Sequence, residues 1–162
     1  MPRPREPKPK DVEAALRLED DGSLCDSVYV FLVSGEEVDV STCGEPVRVV
    51  VLVWNTMGLI GNGGFEYLLS ADYPGDPGFV FTAAAHARIG AMRAYRIFQE
   101  VLAWFPPYAD HETRRAILAA MPDPKVRQAS RRYWDEDATI VAGLATYVRE
   151  HRDDLARVIL GK

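Results

Sequence analysis

Histidine and cysteine are scarce: the 162 residues hold three His and two Cys. His86, His111 and His151 include no pair three or four residues apart, and no HExxH occurs, so no zinc motif and no cofactor is expected. They read as surface or capping histidines. Cys25 and Cys43 accompany a start, MPRPREPKPK, that has no apolar leader core. Both are therefore expected as free thiols in a reducing cytoplasm. No run approaches the ~20 apolar residues of a membrane span, which removes a membrane from the expected partners. Phosphate and nucleophile motifs are missing too. In Gly61-Asn62-Gly63-Gly64-Phe65-Glu66-Tyr67 the glycines have neither Walker nor dinucleotide spacing, and Glu66 would repel a phosphate. No Ser or Cys stands at the centre of the stretch to act as a nucleophile. Nor is there a basic surplus, because the net charge is -5. Arg114, Arg115, Lys125, Arg127, Arg131 and Arg132 are diluted by nearby acids and little interleaved with aromatics. Direct nucleic-acid binding is not expected.

What is present is an ordinary apolar content of 48% with 27% charged residues, the balance of a soluble globular chain. One domain is the expectation at this length, and it can bury roughly 70% of its unfolded surface. The charge is unevenly spread. Residues 1–10 are basic and Pro-rich and are expected to form a disordered tail. Residues 11–82 carry thirteen acids against Arg17 and Arg48, a net of -11. From this segment Glu19, Asp20, Asp21, Glu36, Glu37, Asp39, Glu45, Glu66, Asp72 and Asp76 form a candidate acidic interaction face. Such a local field suits a basic protein partner. The acids stand in runs, here and at 135–137, and no convergent pair is selected for acid–base catalysis.

Along the chain, 11–21 reads as a short helix with Val12, Ala15, Leu16 and Leu18 inward, ended by Gly22-Ser23. Residues 26–33 are apolar and fit strand or helix. The stretch 46–60 is the central element. Its β-branched run favours a strand, but its length favours a helix. Val47, Val50, Val51, Trp54 and Met57 share one helical face while Val49, Leu52 and Val53 make the others apolar. It is expected to be a helix buried on most sides. GNGGFEY then reads as a helix corner, with glycine and Asn62 tolerating positive φ and Phe65 returning to the core as an anchor. Residues 70–78 read as a loop, and 80–105 as helical with Gly90 at a kink or close contact. Asp110 is a candidate N-cap. Further helices are expected at 111–121, 124–134 and from 137 onward. The fold class is all-α: 11–162 as a single compact domain of about seven helices around a buried central one.

Several of these residues form a pattern. Trp54, then Asn62-Gly63-Gly64-Phe65 and Tyr67, then Ala87-Arg88-Ile89-Gly90-Ala91, resemble the DNA-mimic-protein C-terminal domain family, a bacterial family first described as a domain of unknown function. Tyr133-Trp134 and Tyr147-Val148-Arg149-Glu150-His151 are also similar. The resemblance spans about 26–155. It implies an all-α fold, allows a homodimer and implies no catalytic residue. The family's named member presents carboxylates spaced like DNA phosphates and occupies the DNA-binding face of a transcription regulator. A non-enzymatic acidic interaction protein is therefore expected. The alternatives are a toxin antidote, or an enzyme or small-ligand protein with a pocket near Asn62–Gly64 lined by Trp54, Phe65 and Tyr67.

Overall fold

The computed structural model describes residues 8–34 and 38–161. Nine helices and no strand are present among the described residues. They are α1 (Pro9–Leu16), α2 (Asp21–Val33), α3 (Glu45–Ser70), α4 (Val80–Arg88), α5 (Met92–Leu102), α6 (His111–Ala120), α7 (Asp123–Trp134), α8 (Asp137–Glu150) and α9 (Arg152–Ile159).

α3 is the axis of the fold and packs against α2, α4, α6, α7, α8 and α9. Its N-terminal half buries Val47 and every residue from Val49 to Val53. Neighbours on several sides supply the burial that overrides the strand propensity of a valine run. Pro46 sits in the first helical turn, where its missing N–H has no helical acceptor to lose. Around this axis α1 packs on α2 and α9, α2 on α8, and α5 on α4 and α7.

Two breaks raise the helix number above the seven expected. The 80–105 stretch is cut at 89–91, where Gly90 adopts φ 79° and Ala91 N–H returns to the His86 carbonyl. The last helical stretch is cut at His151, whose φ of -107° ends α8. The N-terminal region also differs from expectation. Helix begins at Pro9, so residues 9 and 10 are not part of a tail, and residues 1–7 lie outside the described residues. Leu18 follows α1 and is exposed rather than inward. Gly22-Ser23 do not end a helix but open α2, because Asp20 accepts the Ser23 N–H at 2.8 Å as its N-cap. Residues 26–33 are helical. Asp110 caps α6 by accepting the Thr113 N–H at 2.7 Å.

Candidate functional site

The Asn-Gly-Gly-Phe segment lies inside α3, where it forms a kink rather than a chain reversal. Gly63 (φ -159°, ψ 17°) and Gly64 (φ 70°, ψ -170°) leave helical geometry, and the helix resumes at Phe65. A kink frees backbone groups, and α7 takes them up. The Phe65 N–H donates to Ser130 Oγ at 2.9 Å, and Ser130 donates in turn to the Val126 carbonyl at 3.1 Å. Trp134 Nε1–H donates to the Ile60 carbonyl at 3.1 Å. Gly64 is required twice over. Its φ is left-handed, and a β-carbon there would stand 2.6 Å from Ser130 Oγ.

Phe65 is fully buried as anticipated and meets Phe98 and Tyr133 edge-on at centroid distances of 5.2 and 5.7 Å. Beside them lies His86, which is not a surface histidine: it is wholly buried. Its Nδ1–H donates to the Thr82 carbonyl at 2.8 Å, leaving Nε2 to accept the Tyr133 hydroxyl at 2.7 Å. Burial lowers its pKa to about 4, so the ring is neutral and pins α4 to α7. Its helical register with Thr82, Ala83 and Ile89, all buried, was the available sequence signal. The other sequence-selected residues part company here. Trp54 donates from Nε1 to Asp26 at 3.2 Å, and Tyr67 points its ring to solvent at 54% exposure.

A shallow pocket of about 250 Å³ does lie at the corner, lined by Gly63, Gly64, Glu66, Arg127, Ser130 and Trp134 among others. Trp54, Phe65 and Tyr67 do not line it. Its one buried polar side chain, Ser130, is already committed to Phe65 and Val126. Asp137, a carboxyl whose pKa burial raises, lies elsewhere in the first turn of α8.

The acidic residues divide into four fates. Asp76 leaves the face altogether: it is 3% exposed and caps α4 by accepting Phe81 N–H, Thr82 N–H and Thr82 Oγ1–H. Asp21 and Glu45 are ion-paired, with Arg149 and Arg88, both at 2.8 Å. The bond from Arg88 lowers the Glu45 pKa. Glu19, Asp20, Asp39, Glu66 and Asp72 are exposed and form no ion pair among the described residues. Glu36 and Glu37 lie outside the described residues. Hydrogen bonds from Ser23 and Ser41 lower the pKa values of Asp20 and Asp39, which keeps both ionised and fixed in place. The connection carrying Asp39 lies against the one carrying Asp72: a β-carbon on Gly75 would stand 2.7 Å from Val40 and 3.6 Å from Asp39 Oδ1.

Most of the bases are engaged by groups of the same chain. Arg114 is 3% exposed and donates to the carbonyls of Leu69, Ala71, Pro77 and Ala109. Arg115 donates to Ser70, Arg132 pairs with Glu100, Arg127 with Asp123, and Lys125 rests over the Trp104 ring. Arg131 is exposed. Among the described residues no group of three metal-ligating side chains gathers, no helix is long and apolar enough to cross a membrane, and Cys25 and Cys43 are free. Burial first, and Asp21 second, push the Cys25 thiol up to about 12.

Fold and site together define an all-helical scaffold whose central helix is kinked at a Gly-Gly step and clamped there by a second helix. Residues 42–151 match the family described as DMP19-like protein, and the chain belongs to that family. The match runs from just before α3 to the end of α8. It therefore includes both halves of the clamp and leaves out α1, α2 and α9. No curated protein and no solved structure matches the chain.

Proposed function

We propose that this protein acts by binding rather than catalysis, using exposed carboxylates to occupy a basic surface of a protein partner, as a DNA mimic would. The observation that carries this reading is the set of exposed, ion-pair-free acids on a chain of this family. Glu19, Asp20, Asp39, Glu66 and Asp72 remain available after internal pairing is subtracted. Two of them, Asp20 and Asp39, are held by backbone N–H groups at 2.8 and 2.9 Å. A charge fixed in this way loses little entropy on docking, and it attracts the Lys/Arg surface that otherwise takes a phosphate backbone. The natural partner chemistry is a DNA-binding regulator. On this reading the chain is related to that family's C-terminal domain, and Asn62-Gly63-Gly64-Phe65 is its diagnostic motif.

The test is capture of cytosolic proteins by the immobilised full chain, with duplex DNA as competitor. A genuine mimic retains a DNA-binding protein at low salt and releases it to added DNA. It also releases it near 1 M salt, where the screening length falls to ~3 Å. Retention that ignores both salt and DNA would sink the proposal.

A further inference from the structure

A cleft of about 730 Å³ lies away from the motif, between α4, α5 and the connection at 103–109. Ala84 and Ala87 of α4, Tyr95 and Leu102 of α5, and Phe105 give it an apolar lining. Two independent observations mark it. Phe79 and Tyr108, the two non-glycine residues with positive φ among the described residues (56° and 62°), both line it. Bulky residues rarely hold that conformation, and such strain gathers at sites of function. The second observation is Arg114, another lining residue. Its guanidinium is buried and bonded to four carbonyls, yet no carboxylate stands within 4.0 Å of it among the described residues. Asp110 and Asp72 favour its charge from farther off. Of the five N–H donors, those bonds use Nε–H, both on Nη1 and one on Nη2, so one Nη2–H is left over.

A buried cation with no carboxylate in direct contact, beside an apolar cleft of ligand size, is complementary to one kind of molecule. We propose that the cleft binds a small amphiphilic monocarboxylate, its carboxylate at Arg114 and its apolar body along Ala84, Ala87, Tyr95 and Leu102. The occupant is a free small molecule, and the site is separate from the acidic surface of the proposed function.

The experiment titrates the full chain with 4-phenylbutyrate and with its uncharged amide, read by calorimetry and backbone-amide NMR. The acid is expected to bind, with shifts at α4, α5 and 103–109, and the amide about tenfold or more weaker, the loss of one charge-assisted bond. Arg114 is unsuitable for substitution because its carbonyl bonds hold four segments together. Ala84→Trp is suitable: Ala84 is exposed, so the variant is expected to fold and melt like the parent while the filled cleft no longer binds. Equal affinity for acid and amide, no binding of either, shifts confined elsewhere, or full binding by A84W would each overturn the proposal. So would a peptide with a free C-terminal carboxylate binding more than about tenfold tighter than 4-phenylbutyrate, which would assign the cleft to a protein tail.

Discussion

His86 shows how one side chain ties sequence to a pH response. In the folded chain its pKa is lowered from 6.5 to about 4 by burial. The unfolded chain therefore binds the extra proton first as pH falls. The stability held by the neutral ring is complete above pH 6.5 and is lost progressively down to about pH 4. A displacement of that size corresponds to about 3 kcal/mol. Urea unfolding at several pH values in that window should show the decline, and His86→Gln should flatten it. An unchanged slope in the variant would assign the acid sensitivity to other groups. Ser130 is the second decisive residue. Ser130→Ala leaves the buried Phe65 N–H without its acceptor and should cost about 1–3 kcal/mol, read as a lower urea midpoint at constant slope. Gly64→Ala should cost more, since it adds left-handed strain to the contact with Ser130 Oγ. The two changes share a partner, so their effects should not add.

At the scale of elements, much was legible. The central helix, Phe65 as a buried anchor, the loop at 70–78, the Asp110 cap and the helix ending at Trp134 all follow from apolar spacing and turn chemistry, whereas the corner expected at Gly63-Gly64 is only a kink within α3. In the sequence Gly90 reads as a kink or close contact within 80–105 rather than as a helix end, because Ile89 and Ala91 continue the apolar spacing through the break. What stops the helix is the left-handed turn at Gly90, closed by the Ala91 N–H on the His86 carbonyl, and α8 packs against the break so closely at Gly143 that a β-carbon there would stand 2.4 Å from the Ile89 carbonyl oxygen. The two glycines should therefore respond differently. Gly90 has φ 79° but open space around its missing side chain, so Gly90→Ala should cost only about 1 kcal/mol of conformational strain. Gly143→Ala meets backbone and should cost about 1–3 kcal/mol through displacement of α8. Thermal melts of both variants decide this. A larger loss at Gly90 would mean that the corner, not the helix contact, sets the tolerance. The clamp itself was not legible. Trp134 and Ser130 lie some 65 to 75 residues from their partners, and no local pattern announces a contact at that separation.

For the whole molecule, a net of -11 on residues 11–82 is a statement about chain order, and folding redistributes it. Arg149 and Arg88, from the basic C-terminal half, neutralise Asp21 and Glu45 across the fold, while Asp76 goes into the interior. The five exposed acids of the candidate face that form no ion pair fall into separate neighbourhoods. Glu19 and Asp20 lie at the start of α2, near Arg149, whose guanidinium also binds the Glu19 carbonyl. Asp39 and Asp72 occupy the two abutting connections, and Glu66 edges the pocket at the kink. Only Glu66 and Asp72 of these five fall inside the family-matched region 42–151. A partner that reads a DNA-like array must therefore choose a neighbourhood, and amide isosteres can identify it. Glu19→Gln/Asp20→Asn and Asp39→Asn/Asp72→Asn remove two charges each, and Asn still caps at positions 20 and 39. Both variants should unfold within about 1 kcal/mol of the parent, as surface changes do. If Asp39 and Asp72 face the partner, their double variant should reduce the salt slope of binding and weaken it at low ionic strength, while the Glu19/Asp20 variant binds as the parent does. Equal, modest losses from both would point instead to a diffuse field that steers encounter without defining a docking face, and slower association of both variants with unchanged dissociation would be its kinetic signature.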